Sequence, residues 1–384
     1  MAKVLLVDTN FSSAPLFSEL ERLGHEVHVV SRSTNDCLTK ISKNFWLIDY
    51  SDTVELKNLL KSEKFDYIIP GCTDLSYTSC STINDGQFPG IETPEIERLL
   101  NNKESFRKIA SSLRLPTPAV QEYSETGLKW PVIVKPVDSY SGKGITVIEK
   151  EDKTLLMGAI SLACEVSSSK KYLIEDYIKG QLYSHSAFIE KKNIVADFIV
   201  QEDCSINPFV VDTSRVISNP NSRIQTQMRD AIEKLAVALS LKDGLVHTQF
   251  IDDGKNVWLI EITRRCPGDL YSQLIELSTG FPYAKAYIAG FLGGGILGKI
   301  TTRENAEIIR HTITVSDEQF FSHIKFNKSA YVERFTILNV SGDLLQRSPL
   351  SRVGILFLKA HSETESELVY QALLSRRMYD VVEL

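Results

Sequence analysis

The chain has 384 residues, of which 43% are hydrophobic and 24% are charged. This composition is typical of an ordinary globular protein with two or three domains. A net charge of -6 and a pI near 5.8 argue against a nucleic-acid partner held by a general basic surface. The six cysteines form no CxxC pair, which excludes the usual patterns of a zinc site or a disulfide framework.

The apolar stretches are too short for a targeting or membrane segment. Residues 1–8 form an apolar run shorter than the core of a signal peptide. The longest uncharged apolar stretch, residues 286–298, is broken by glycines and is shorter than the ~20 residues that span a bilayer. We therefore expect a cytoplasmic protein with no membrane partner.

The first 95 residues predict an α/β domain. Apolar runs at residues 3–8, 25–31 and 65–70 predict strands, and residues 15–23 and 54–61 have helical spacing. Such short alternation predicts parallel strands with crossover helices. The turn after Asp8 has no GxGxxG, so a dinucleotide site lacks its main support. A crevice is still expected at the carboxyl ends of the strands. Asp74 lies there, either as a substrate ligand or as a helix cap.

The middle of the chain mixes helices with antiparallel strands. Thr93-Pro94 predicts the start of a helix that reaches residue 113, with a break near residues 101–102. A hairpin at residues 130–149 follows. Further helices are predicted at residues 153–166, 224–239 and 270–277, and strands at 171–178, 184–190, 194–202, 207–216, 245–252 and 256–263.

Residues 301–384 predict a small α+β unit with strands at 331–340, 353–360 and 379–383 and a helix at 362–378. It shows no recognisable chemistry. The simplest interpretation is that it packs against the preceding domain or against another subunit.

The hairpin contains the most informative pattern. Lys135 lies inside the apolar strand at residues 132–136, where a charged side chain is expected only if it reaches an anion. The loop at residues 138–144 has small, hydroxylated and glycine residues, whose N–H groups can enclose phosphate oxygens. The residues 141–144 lack the earlier glycine and the following Ser or Thr of a P-loop, so a different phosphate-binding hairpin is indicated.

Three further features complete a nucleotide site. Lys103 precedes a helix, and with Lys135 it suits a polyphosphate. The strand end at residues 175–178 offers an acidic residue and backbone groups for adenine. Gln249 and Glu261 lie on neighbouring strands and suit Mg²⁺, which takes few protein oxygens. Arg265 follows, and a guanidinium binds phosphoryl oxygens in a fork.

This combination resembles the ATP-grasp superfamily, and within it carboxylate–amine ligases such as carbamoyl phosphate synthetase and D-alanine–D-alanine ligase. The resemblance covers about residues 1–300. It implies a Rossmann-like pre-ATP-grasp domain at 1–95, an ATP-grasp domain at 96–300 with a lid at about 115–178, and a small C-terminal α+β domain at 301–384.

The resemblance also implies roles for individual residues. Catalysis is assigned to Lys135 and Arg265. The predicted ATP ligands are Lys103, Lys135, Ser139, Ser141, Gly142, Gly144, Glu175, Asp176, Tyr177 and Ile178. The predicted ligands of Mg²⁺, with Mn²⁺ as an alternative ion, are Gln249, Glu261 and Thr263.

Two positions depart from the family's pattern. Thr263 stands where an asparagine is usual, which leaves open whether one or two metal ions bind. Leu182 stands where a ribose-binding glutamate is common, so the ribose contact must come from elsewhere.

The substrate ligands are less defined. His247 shares a strand face with Gln249 and contacts substrate or metal-bound water, or else is a core histidine. Asp269 binds an amino group or caps the next helix. Arg215 and Arg223 hold a substrate carboxylate or form surface ion pairs.

The predicted reaction is ATP-dependent amide formation. A carboxylate attacks the γ-phosphate to give an acyl phosphate and ADP, and an amine then displaces phosphate. An amino acid or short peptide is the expected substrate, and a homodimer is expected from the fold. The alternatives are a small-molecule kinase on the same fold and a nucleotide-binding regulatory protein without turnover.

Overall fold

The N-terminal region is a parallel α/β sheet. The computed structural model describes residues 1–123, 127–139, 142–296 and 306–384. The first sheet has the order β3-β2-β1-β4, all parallel. Its elements are β1 (Lys3–Val7), α1 (Ala14–Arg22), β2 (Glu26–Ser31), α2 (Cys37–Ile41), β3 (Asn44–Leu47), α3 (Thr53–Ser62), β4 (Tyr67–Pro70) and α4 (Asp74–Ile83). The predicted alternation of parallel strands and helices is therefore confirmed, while the short α2 and β3 were missed. Helix α4 was expected only as the helix that Asp74 would cap, and Thr73 is its N-cap.

Two consecutive helices lead into the next sheet. They are α5 (Pro94–Asn101) and α6 (Lys103–Ser112). The break between them, predicted near residues 101–102, falls at Asn102, whose side chain caps α6 by accepting the N–H of Ser105 at 3.0 Å. This cap places Lys103 at the first position of α6.

A small four-stranded sheet contains the hairpin for which a lid role was predicted. Its order is β5-β8-β6-β7. A compact apolar cluster that includes Val132, Val134, Leu156 and Ile174 packs the sheet against its one helix. The elements are β5 (Val120–Gln121), β6 (Val132–Pro136), β7 (Thr146–Ile148), α7 (Lys153–Val166) and β8 (Tyr172–Asp176).

An eight-stranded antiparallel sheet is the centre of the molecule. Its order is β13-β12-β9-β10-β11-β14-β18-β16. Its strands up to residue 300 are β9 (Gln181–Glu190), β10 (Asn193–Asp203), β11 (Thr213–Val216), β12 (Gly244–Asp252) and β13 (Val257–Thr263). One face packs on α8 (Ser222–Ala238), and the other on α9 (Tyr271–Thr279) and α10 (Tyr283–Phe291).

The C-terminal region continues this sheet. Strand β14 (Glu307–Ile313) pairs with β11. The other elements are β15 (Gln319–Phe326), β16 (Tyr331–Ile337), β17 (Leu344–Leu345), β18 (Gly354–Ala360), α11 (Glu363–Leu374) and β19 (Tyr379–Glu383). The predicted boundary near residue 300 therefore does not separate two sheets. Strands β14 and β15 were not predicted, and the strand predicted at 207–216 covers only Thr213–Val216.

No helix in the described part of the chain is long and apolar enough to cross a membrane.

Candidate active site

The predicted metal ligands lie side by side on one face of the central sheet. Gln249 on β12 is directly opposite Glu261 on β13. Glu261 is exposed and Gln249 is half-buried. Thr263 is nearly buried, and its hydroxyl accepts the N–H of Arg265 at 3.3 Å. The geometry therefore favours Gln249 and Glu261 over Thr263 as metal ligands.

The pair Gln249 and Glu261 fits a hard cation. Gln249 donates its amide N–H to Glu202 at 2.8 Å, which leaves its amide oxygen to accept. Within the described residues, no three side chains of His, Cys, Asp or Glu converge on a metal-sized site. Such a sparse set of oxygen ligands suits Mg²⁺, which keeps several water or phosphate ligands of its own.

Glu202 at the end of β10 was not predicted and lies next to this pair. It is 4% exposed, and burial raises the pKa of its carboxyl group, although hydrogen bonds from Ser184 and Gln249 and the charge of Arg310 oppose this rise. Ser184 in turn lies 2.7 Å from the hydroxyl of Tyr271 on α9. A buried polar network thus borders the candidate metal ligands.

A second charged centre lies between the small four-stranded sheet and α6. Lys135 on β6 is 3% exposed and forms an ion pair with Glu175 on β8, which is fully buried. Arg107 on α6 also pairs with Glu175, at 2.7 Å. Burial lowers the pKa of Lys135 to about 8, an effect that Glu175 partly opposes. Burial acts to raise the pKa of Glu175, but Lys135 and Arg107 outweigh it, and the pKa falls.

The Glu175 carboxylate is therefore not open to adenine. Both of its oxygens face cations, so the predicted adenine contact must come from the backbone that follows. The N–H groups of Asp176 and Tyr177 are already donated to Ala119 and Pro131. Within the described residues the N–H of Ile178 has no acceptor, so this residue best fits the predicted adenine contact.

The hairpin loop is held close to the rest of the site. Lys103 donates its ammonium to the carbonyl of Ser139 at 2.8 Å. Gly142 has φ +69°, and a Cβ there would lie 2.6 Å from Phe209. Gly144 has φ +75° and faces Pro136. Both positions therefore require glycine. Ser141, also predicted in this loop, lies outside the described residues.

The side chain of Arg265 is engaged by another protein residue. Its guanidinium forms a two-pronged ion pair with Asp74 at 2.8 and 2.9 Å, which joins the N-terminal domain to the central sheet. Burial lowers the pKa of Arg265, but Asp74 outweighs it and holds the pKa above its ordinary value. Asp74 is thus the partner of Arg265, and both side chains keep part of their surface exposed.

The other predicted substrate ligands are already engaged. The Asp269 carboxylate lies 3.2 Å from Arg352 and 4.0 Å from Arg310, so the prediction that it binds an amino group loses its basis. His247 is buried, with Nδ1 3.0 Å from the Ser186 hydroxyl. Burial, followed by the charges of Arg265 and His185, lowers its pKa to about 3, so its ring is neutral and belongs to the core.

Arg215 and Arg223 form local ion pairs. Arg215 contacts Glu367 at 2.6 Å and stacks on Tyr370, and Arg223 contacts Asp252 at 2.7 Å. Both guanidinium groups have acidic partners in the protein, which supports the surface ion-pair interpretation rather than the predicted carboxylate site.

Arg107 and Arg310 were also missed by sequence reasoning. Arg310 is buried on β14 and donates to Ser214 at 2.8 Å on the face that carries Glu202. A weak signal was present, because Arg310 lies in a segment rich in β-branched residues, directly after Ile308 and Ile309. For Glu202 the sequence contained only a weak signal of burial: it lies on the same face of its strand as Phe198 and Val200.

Comparison with known proteins agrees with this geometry. Residues 128–273 match the family model described as the ATP-grasp domain. This match identifies an ATP-grasp domain within residues 128–273, in agreement with the resemblance that the sequence motifs indicated. The matched range includes the hairpin, the Glu175 strand and the strands of Gln249 and Glu261.

Among curated proteins, a formate-dependent phosphoribosylglycinamide formyltransferase of Histophilus somni is 28% identical over 159 residues, which is 39% of this chain and 40% of the relative. The chain thus matches less than half of that relative's length. A related enzyme of Prochlorococcus marinus is 22% identical over 68% of this chain and 70% of its own.

Among solved structures, an L-amino acid ligase from Bacillus licheniformis has a TM-score of 0.79 at 17% identity, covering 100% of this chain and 99% of its own. A phosphoribosylglycinamide synthetase from Anaerococcus prevotii has a TM-score of 0.78 at 16% identity, with full coverage of both chains. At these identities the likeness establishes the fold, including the preceding α/β domain and the C-terminal unit.

Proposed function

We propose that this protein is an ATP-dependent carboxylate–amine ligase. A substrate carboxylate attacks the γ-phosphate of ATP, the bond from the γ-phosphorus to the bridging oxygen breaks, and ADP leaves. An amine then attacks the acyl phosphate, loses a proton and expels phosphate, which gives an amide.

One observation carries the proposal. The phosphate-binding candidate Lys135 and the strand of the metal candidate Glu261 are linked by one side chain. Arg107 bonds to Glu175, the partner of Lys135, and also to the carbonyl of Ile260, the residue before Glu261. A polyphosphate lysine next to two oxygen ligands suits a nucleotide–metal complex.

The protein residues supply positioning and charge. Lys135 neutralises phosphate oxygens, and Lys103 fixes the hairpin loop through Ser139. Arg265 lies two residues beyond the end of the Glu261 strand and is held by Asp74. There it can stabilise the transferred phosphoryl group. Bound Mg²⁺ would be held by Gln249 and Glu261 and would neutralise phosphate charge. No nucleophilic side chain is needed for this chemistry.

The hairpin acts as a lid. Its loop approaches Phe209 closely at Gly142, so that closure shields the cleft from water and protects an acyl phosphate from hydrolysis.

We propose an amino acid or a small peptide on at least one side of the reaction. The name of the similarly folded L-amino acid ligase supports this class. So does the mixture of charges near the cleft, where Glu202 and Asp74 face Arg310 and Arg265. A cytoplasmic location and a homodimer stay predictions, and light scattering of the purified protein tests the second.

The decisive experiment uses hydroxylamine as the amine. The protein is mixed with ATP, Mg²⁺, hydroxylamine and single amino acids or other small acids, and ADP and hydroxamate are measured. A ligase gives equal amounts of ADP and hydroxamate with its own carboxylate substrate.

Two outcomes contradict the proposal. ADP release with an acceptor but without hydroxamate indicates a kinase that phosphorylates a hydroxyl group. ATP binding without ADP release over the whole panel indicates a regulatory nucleotide-binding protein.

A further inference from the structure

Arg107 is a buried arginine of α6 that neither the sequence motifs nor the proposed reaction uses. It is 3% exposed. Its Nε donates to Glu175 at 2.7 Å, and its Nη2 donates to the same carboxylate at 3.4 Å and to the carbonyl of Ile260 at 2.8 Å. One guanidinium therefore connects three elements: α6, the lid strand β8 and the metal strand β13.

Two of the basic side chains of α6 lie on one side of the helix. Lys103 and Arg107 are four residues apart in α6, so that their side chains lie on the same face. Lys103 holds the hairpin loop at Ser139, while Arg107 holds the base of the lid at Glu175. The same helical face therefore contacts the hairpin loop directly and, through Glu175, the hairpin strand that carries Lys135.

The charges of this centre do not balance. Lys135 and Arg107 are two buried cations that share the single carboxylate of Glu175, and Lys103 adds a third positive charge nearby. The Nη1 of Arg107 is buried without an acceptor among the described residues. A buried excess of positive charge is costly unless an anion completes it.

We propose that Arg107 is a positioning residue for nucleotide binding: it fixes Glu175, so that Lys135 presents its ammonium to the phosphates, and it ties this lysine to the strand that carries Glu261. The inference rests on the proposed function, because it takes the nucleotide polyphosphate as the anion that completes the centre.

The charge of Arg107 also affects the protonation of Lys135, which gives the inference a pH-dependent test. The groups that face Lys135 are Glu175 from β8 and Arg107 and Lys103 from α6. Burial lowers the pKa of Lys135 to about 8, Glu175 raises it, and Arg107 lowers it further. Removal of Arg107 therefore raises the pKa of Lys135, and nucleotide affinity should be lost at a higher pH than in the native protein.

The test compares Arg107→Gln and Arg107→Lys with the native protein. A fluorescent ATP analogue with Mg²⁺ is titrated between pH 6.5 and 10, and melting temperatures are recorded. Arg107→Gln should weaken binding by about tenfold at pH 7 and move the alkaline midpoint of the affinity upward by about one pH unit. Arg107→Lys keeps the positive charge but loses the guanidinium that bonds two acceptors at once. The affinity for ATP should therefore fall, while the alkaline midpoint of the affinity should stay at its native pH.

Arg229→Gln is the matched control. Arg229 also joins a carboxylate and a backbone carbonyl, since it contacts Asp197 at 2.5 Å and Ile194 at 3.3 Å, but it lies on α8. This variant should lower the melting temperature and leave both the affinity and the midpoint unchanged.

The outcomes separate the two proposals. Absence of ATP binding by the native protein contradicts the proposed function itself. If the native protein binds ATP and the folded Arg107→Gln variant binds it with the same affinity, the role of Arg107 is overturned. If Arg107→Gln does not fold, Arg107→Lys decides alone, and native-like affinity in that variant overturns the inference.

Discussion

The two charged centres of the site differ in how exposed their side chains are to solvent. Lys135, Arg107 and Glu175 are almost fully buried, whereas Glu261 is exposed and Gln249 half-buried. Buried charges need counter-charges, because an unpaired one costs several kcal/mol, and Glu175 is the counter-charge of both cations in the folded protein. Exposed metal ligands stay hydrated until the ion arrives with water of its own. The buried centre should therefore contribute to stability as well as to binding, and the exposed one to binding and catalysis alone.

The largest effect is expected from breaking the buried centre. Glu175→Gln leaves Lys135 and Arg107 without their anion and should lower the free energy of unfolding by about 3–5 kcal/mol. Chemical denaturation measures this loss. The control is Glu149→Gln, since Glu149 forms an exposed ion pair with Lys179. Equal stabilities of the two variants would contradict the assignment of Glu175 as the central counter-ion.

A large effect on activity, without one on stability, is expected at the exposed centre. Glu261→Gln removes the charged metal ligand and should lower ADP release by about 100-fold at fixed Mg²⁺. The melting temperature should stay within about 2 °C of the native value, because the side chain is exposed. Glu333→Gln on β16 is the control for an exposed strand glutamate. Native activity of Glu261→Gln would remove Glu261 from the metal site.

A moderate effect is expected from the protonation of Lys135, which should make both ATP affinity and stability depend on pH at the buried centre. Its folded pKa of about 8 lies below the ordinary 10.5, so the affinity for ATP should fall up to about tenfold per pH unit above 8. In the free protein the buried ammonium costs stability below pH 8. That cost disappears as the pH rises from 8 to 10.5, since the unfolded chain binds the proton more tightly.

The comparison variant for this pH dependence is Lys135→Met. This variant should lose affinity for ATP at neutral pH, and neither its ATP affinity nor its stability should show the pH dependence expected from Lys135. Lys179→Met, which removes an exposed lysine, should retain both. An affinity that stays constant from pH 7 to 9.5 in the native protein would contradict a titrating Lys135 in the nucleotide site.

The smallest effect is expected away from both centres. Arg215→Gln and Arg223→Gln remove ion pairs with Glu367 and Asp252 and should change ADP release by less than about twofold. A loss of affinity for the carboxylate substrate in either variant, at unchanged ATP affinity, would restore the original prediction that these arginines hold a substrate.

The sequence allowed good predictions where local patterns carry the information. The α/β domain, the break before α6, the hairpin and the strands of Gln249 and Glu261 follow from hydrophobic period, caps and turns. The strand order of the central sheet, and its continuation past residue 300 through β14, could not be predicted. Pairing between distant strands leaves no mark in local periodicity.

Within the site, the period of two along a strand determined that Gln249 and His247 share a face, and the apolar context of Lys135 indicated that it is buried. Only the tertiary structure decided the partners. Arg265 meets Asp74 across 191 residues, Arg107 joins Glu175 to Ile260, and Arg310 reaches the site face from the C-terminal unit. The physical reason is that a buried charge must find a counter-charge, while the chain segment that supplies it is chosen by the packing of whole elements.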